Sequence, residues 1–411
     1  MTRSRTLLAL SSLLLGSLVA CSSSGPEAAA ESIATTRAPV IKGKASDASQ
    51  DAVVLLVHFD PNSGEFGSCT GTLLSPRLVL TARHCVADTD EGAACDVDGT
   101  PQAAGEIRKN HKADTMYVFT GPQRPDFGSR DVKPAGQGAQ ILDDGGKNLC
   151  NHDIAMVVLK EPVADAQIAP IRLDGDVTKG EVITAVGWGV TDKTPNPEVR
   201  QQRSGIAIKG VGPDDTNTTL PVPPNEFAVG ESICSGDSGG PAFAEETGAV
   251  VGVVSRGGNN RRPDSQDPAS SCIGGENLYT KISPFKDMIM RGFEIVEAEP
   301  WIEGGPDPRL LKPGAACSDG TECRSSLCLL DPSQSNATTC AEDCSASTCP
   351  EGSTCEVVGQ AKVCRTPAQM PKATTTTTTG CASTPGAASN GGLALALVGL
   401  GLVAARRRRQ A

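Results

Sequence analysis

A serine hydroxyl becomes a working nucleophile only when a base takes its proton, and the base needs a carboxylate to fix its tautomer and stabilise its charged form. Residues 234–243 read CSGDSGGPAF and give Ser238 glycines on both sides. The candidate bases are the four histidines His58, His84, His111 and His152, and all of them precede Ser238. His84 closes the stretch LTARHC beside Cys85, and Asp153 opens the apolar run DIAMVVLK. Asp143 and Asp144 are alternative carboxylates close by. His152 reads as a neighbour of Asp153, and His58, inside an apolar run, as structural.

GDSGG also fits the G-x-S-x-G elbow of α/β-hydrolases, but that fold places its histidine after the serine. The order here is His, Asp, Ser. Across roughly 40–297, LTARHC, DIAMVVLK and GDSGGP resemble the trypsin/chymotrypsin-like serine peptidases. The resemblance implies that His84 is general base and acid, Asp153 its orienter and Ser238 the nucleophile. It makes the backbone N–H groups of Gly236 and Ser238 the oxyanion hole. Ser255 would support Asp153, and Ser255 to Gly257 would pair with substrate backbone. Ser232, six residues before the nucleophile, falls at the pocket base with no carboxylate, while Gly257 and Asn277 fall on its walls. A side chain other than Arg or Lys before the cut bond is therefore expected. Val40 in VIKG resembles the family's mature N-terminus, whose partner would be Asp237, although Pro39 precedes it and the nearest basic residue before it is Arg37. Two departures stand out: Arg83 replaces a usual alanine and Arg256 a usual tryptophan. The calcium-loop carboxylates of some relatives have no clear match, so neither a metal nor a cofactor is assigned.

Short apolar runs must position these groups. AVVLLVHF, GTLLS, RLVLTA, MYVFTG, IAMVVLK, EVITAVGWG, SGIAIKG, AVVGVVSR and NLYTKIS alternate with turn clusters. Their lengths and β-branched content predict an all-β domain. The resemblance makes it a chymotrypsin-like double six-stranded β-barrel. A closing helix is expected, with Ser283 as cap, Pro284 in the first turn and Phe285, Met288, Ile289, Phe293 and Val296 on one face.

The sixteen cysteines group by position. Six lie between 69 and 272, and Cys69–Cys85 and Cys234–Cys272 match family disulfides. Cys95 and Cys150 remain and are expected to pair, bracketing an insertion between His84 and Asp153. Eight more crowd into 317–364 without C-x-x-C spacing, which disfavours zinc and predicts a small disulfide-stapled module. Their connectivity is open, and nothing names a ligand for the module.

Both ends read as targeting segments. Residues 1–21 carry two arginines, an apolar stretch and LVAC, which resembles a bacterial lipobox with Cys21 as the lipidated residue. The end of the chain sets Gly380-Cys381 before an apolar run and four arginines. It resembles the MYXO-CTERM sorting tail of myxobacterial surface proteins. The resulting plan is a signal peptide (1–21), a leader (22–39), a protease domain (40–297), a linker (298–316), a disulfide-rich module (317–364), a Thr/Pro-rich stalk (365–380) and a tail (381–411). A net charge of −11 and a pI near 5.0 argue against a nucleic-acid partner. The reading is an exported serine endopeptidase of the outer membrane, cell surface or medium, acting on proteins or peptides and held by a lipid anchor or its tail. The competing reading is a catalytically silent, protease-fold adhesion protein.

Overall fold

A computed structural model describes residues 40–370, apart from positions 91, 130, 262, 263, 265, 266, 268 and 336. The expected signal peptide, leader, tail, Cys21 and Cys381 lie outside the described residues.

Six antiparallel strands close the first barrel: β1 (Val53–Asp60), β2 (Glu65–Ser75), β3 (Leu78–Thr81), β4 (Met116–Phe119), β5 (Gly136–Leu142) and β6 (Ala155–Leu159), in the order β5–β6–β3–β2–β1–β4. The run VVLLV in β1 is buried on both faces, which explains its unbroken apolar sequence. Val53, Val54 and Leu56 join the main core, whereas Leu55 and Val57 pack with Phe119 and Trp188. The second barrel contains β7 (Val182–Gly187), β8 (Gln201–Val211), β9 (Glu226–Val229), β10 (Pro241–Ala244), β11 (Val250–Gly258) and β12 (Glu276–Lys281). Their order is β8–β7–β10–β11–β12–β9, and pairing of β9 with β8 closes the ring. The double-barrel expectation holds.

The closing helix α1 spans Lys286–Ile295, and Ile289 and Phe293 enter the main core with Phe285 and Val296. Ser283 is not its N-cap. Ser283–Phe285 form a separate 3-10 turn, and the cap position falls on Phe285. The fixed φ of Pro284 suits that tighter turn, so the helix proper starts beyond it.

The insertion between β3 and β6 folds into two small ladders, Ala87–Thr89 with Ile107–Asn110 and Ala93–Cys95 with Pro101–Ala104. The disulfide Cys95–Cys150 ties it back to the approach to Asp153. After α1 the chain is bonded to the barrels. Ile171 N donates to Trp301 O (2.8 Å), Glu303 N donates to Ile171 O (3.0 Å), and Arg172 grips Glu303 through Nε (2.6 Å) and Nη2 (2.8 Å). Cys317–Cys328, Cys323–Cys340, Cys344–Cys355 and Cys349–Cys364 make two successive crossed pairs. Each pair staples its own small sheet. Cross-links supply here what so small a core cannot.

Candidate active site

His84 sits in the 3-10 turn Arg83–Cys85 that follows β3, and Cys69–Cys85 fastens this turn to β2. Asp153 enters β6 fully buried, its carbonyl accepting from Thr280 Oγ1 at 3.0 Å. The carboxylate of Asp153 receives His84 Nδ1–H (2.9 Å to Oδ2), His84 N–H (3.0 Å to Oδ1) and Ser255 Oγ–H (2.6 Å to Oδ2). An ionised carboxylate only accepts, so the ring proton is on Nδ1 and the lone pair on Nε2. Burial works against the imidazolium, but the charge and hydrogen bond of Asp153 outweigh it and hold His84 above its ordinary value. Burial likewise pushes Asp153 up, and His84 with three hydrogen bonds holds it below the ordinary carboxylate range.

Ser238 and His84 line one cavity of about 490 Å³ with Asp153, Ser255 and Gly257. No hydrogen bond joins Ser238 Oγ to His84 Nε2 among the described residues. Before substrate is bound such contacts are commonly long. Gly236 has φ +97° and a Cβ there would stand 3.0 Å from Gly189 Cα; at Gly239, φ +77°, it would meet Thr81 Oγ1 at 2.1 Å. Only glycine fits these two places, which is the physical reason for glycines around Ser238. Thr70 fixes the loop from the first barrel, donating from Oγ1 to Gly236 O (3.0 Å) and from N to Ser238 O (2.8 Å).

Asp143 and Asp144, the alternative partners for the base, are engaged elsewhere. Asp143 receives Asn110 Nδ2–H at 3.0 Å and faces Arg83 at 3.5 Å, and Asp144 pairs with His152. His58 stacks on His111 with ring centroids 3.7 Å apart. Glu65 stands close to both, but nearly parallel imidazoles aim their lone pairs in parallel planes and do not converge on one ion. The other cysteine groupings are disulfides and offer no thiolate.

Ser232 is fully buried behind Asn277, and it is Asn277 that faces the cavity. Asn277 Nδ2 donates to Gly230 O (3.1 Å) and Ser232 Oγ (3.2 Å), and Tyr279 OH lies 3.4 Å from that Oγ. A Cβ on Gly257 would stand 2.5 Å from Asn277 Oδ1, so the wall beside Asn277 must be glycine. Val40 and Ile41 are buried, and Ile41 packs with Cys234 and Cys272. Asp237 accepts from Gly189 N (2.8 Å) and Cys234 N (2.9 Å) and forms no ion pair among the described residues. Burial, only partly offset by those bonds and by the charge of Arg124, leaves its carboxyl pushed up to about 7.

Comparison with known proteins agrees with this geometry. The Trypsin family model matches residues 43–289. The chain belongs to the trypsin family. It is 28% identical over 249 residues to Limulus clotting factor C of Carcinoscorpius rotundicauda, covering 54% of this chain and 22% of that protein. It is 23% identical over 250 residues to a trypsin of Saccharopolyspora erythraea, covering 59% and 92% respectively. Seminase of Drosophila melanogaster is 26% identical over 237 residues, covering 55% and 72%. The matched region is thus about a fifth of the clotting factor's length but most of the bacterial trypsin's.

One acidic residue beside the site has no motif to announce it. Glu226, in β9, is fully buried and receives both arms of Arg256. Its only sequence signal is a lone carboxylate at the head of the apolar run EFAV, combined with an arginine in place of the family's tryptophan. Leu149, on the insertion, also reaches the cavity unannounced by any motif.

Proposed function

We propose that this trypsin-family protein is an exported serine endopeptidase. Ser238 Oγ attacks the scissile carbonyl while His84 Nε2 takes its proton. His84 later returns that proton to the leaving amine, and water then hydrolyses the acyl-enzyme. Asp153 holds the imidazole and stabilises its charged form. The N–H groups of Gly236 and Ser238 receive the developing oxyanion, where each donor typically contributes ~2.7–4 kcal/mol to transition-state stabilisation. The observation that carries this reading is the His84 Nδ1–Asp153 bond of 2.9 Å inside the cavity that Ser238 lines.

The uncharged set Asn277, Ser232 and Tyr279 supports cleavage after a side chain other than Arg or Lys. A buried cation there would lack a partner. The buried Val40–Ile41 segment supports maturation at Val40, with its freed α-amino group pairing with Asp237. Seven disulfides support an oxidising compartment. Among the described residues no helix is long and apolar enough to cross a membrane, so lipidation at Cys21 and sorting at Cys381 rest on the sequence resemblances.

Labelling of the matured protein with a fluorophosphonate tests the mechanism. Labelling and peptide hydrolysis that vanish together in folded Ser238→Ala support it. An unlabelled, inert wild type overturns it and favours an adhesion role.

A further inference from the structure

Beside Ser255 the cavity is lined by Arg256, which forms an ion pair with the fully buried Glu226. Arg256 donates through Nη1 to Glu226 Oε1 (2.9 Å) and through Nη2 to Glu226 Oε2 (2.7 Å), with side-chain exposures of 11% and 0%. Neighbouring strands create the contact, since β12 pairs with both β9 and β11 and brings positions 226 and 256 to either side of Leu278 and Thr280. The pair does not end there. Arg256 Nη1 also donates to Ser255 Oγ (3.2 Å), the hydroxyl that donates to Asp153 (2.6 Å). Arg256 Nη2 reaches Cys95 Sγ (3.1 Å), and Glu226 Oε1 receives Asn151 N–H (3.0 Å), two residues before Asp153. The ion pair therefore touches the Asp153 segment from one side and its Ser255 support from the other.

We propose that Arg256 and Glu226 are positioning residues of the peptidase: the guanidinium fixes Ser255 as donor to Asp153, and the buried carboxylate both aims that guanidinium and balances its charge beside His84. The proposal rests on the triad reading above and adds a five-member sequence, Glu226–Arg256–Ser255–Asp153–His84, in which Arg256 strengthens Ser255 as a donor and Ser255 shares the Asp153 carboxylate with His84. An isolated guanidinium at this depth would be costly. Bidentate pairing with Glu226 makes it tolerable, whereas an indole at the same place would give Ser255 no hydrogen-bond donor of this kind.

The electrostatics follow the geometry. Arg256 is a charge that opposes the imidazolium of His84, against the stronger pull of Asp153. Burial pushes Glu226 above the ordinary range, with Arg256 and the Asn151 N–H pulling it back. Asp153 also bears on Glu226, His152 is drawn to Glu226 as well as to Asp144, and Arg83, which faces Asp143 and Asp144, bears on Asp153 from the other side.

The test is kcat/KM against pH on a peptide cleaved by the wild type, with fluorophosphonate titration counting competent sites in every sample. Glu226→Gln is nearly isosteric and leaves Arg256 unbalanced, so the acid limb should move to lower pH by roughly half a unit. Arg256→Gln, and the Glu226→Gln/Arg256→Gln double variant that leaves no unpaired buried charge, should move it upward and lose about tenfold in kcat with less change in KM. Arg256→Lys should keep the limb near its wild-type position while losing kcat, separating charge from hydrogen-bond geometry. Rate losses uniform across pH, with the limb unmoved in all variants, would assign the pair to stability alone and overturn the proposal. A wild type that takes no label refutes the triad reading instead.

Discussion

Asn277 donates from Nδ2 to Ser232 Oγ at 3.2 Å, so the innermost polar contact beneath the cavity joins two neutral side chains. A lysine or arginine entering there would shed its hydration without meeting a carboxylate. A peptide library should show cleavage after uncharged residues, with Arg and Lys disfavoured by at least about tenfold. Ser232→Asp should raise cleavage after basic residues relative to wild type. A wild-type profile dominated by Arg or Lys refutes this.

Asp153→Asn preserves the size of the side chain but substitutes an amide that can donate toward Nδ1 and hold the wrong tautomer. A loss of about 10⁴-fold in kcat is expected. Circular dichroism and thermal unfolding should remain close to wild type. Steady-state kinetics near neutral pH decide the matter; a loss below about tenfold would remove Asp153 from its assigned role.

Asp237 provides a stability test. Its carboxyl is pushed up to about 7 in the folded chain, above its value in an unfolded one. The unfolded state therefore releases this proton first as pH rises. Its contribution to stability is complete below the ordinary carboxylate range and is lost between about pH 4 and 7. With the bond before Val40 intact, Asp237→Asn should flatten that part of the profile, altering the wild-type slope by a few kcal/mol in total. Urea midpoints measured across this pH range for both proteins give the comparison, and parallel profiles would contradict the assignment.

The Cys95–Cys150 bridge spans a sequence separation of 55 and holds the segment that carries Leu149 into the cavity. Replacing both cysteines by serine should cost about 2–4 kcal/mol in unfolding free energy. It should also raise KM for extended peptides more than for short esters, because the lip over the cavity loses its tether. Equal effects on both substrates would show that the insertion does not contact substrate.

The parts legible in advance were those with a local covalent or conformational signature. His84 precedes a cysteine, Ser238 lies among glycines that positive φ and close contact require, and Asp153 opens an apolar strand. Glu226 was not legible, because its partner lies thirty positions away and meets it only through the register of β9 and β11 on either side of β12. Asp153 is the carboxylate expected from sequence, and the fold engages its alternatives Asp143 and Asp144 with Asn110 and His152. The position of Ser283 shows the limit of capping rules: the residue types were read correctly, but Pro284 served a 3-10 turn. The crossed connectivity in the cysteine-rich module depends on strand pairing that cysteine spacing alone does not specify.

The segment after α1 has a mechanical consequence. Traction on the C-terminal side of the chain meets Arg309, whose Nη1 donates to Ala166 O (2.7 Å), and then Glu303, where Arg172 and the Ile171 backbone contribute four hydrogen bonds shared among Trp301, Glu303 and the barrel. These bonds form a clamp ahead of α1 and β12, the strand whose Asn277 faces the cavity. Tension is delivered to the barrel at Ala166 and Ile171–Arg172, and the walls of the cavity are relieved of the load until the clamp yields.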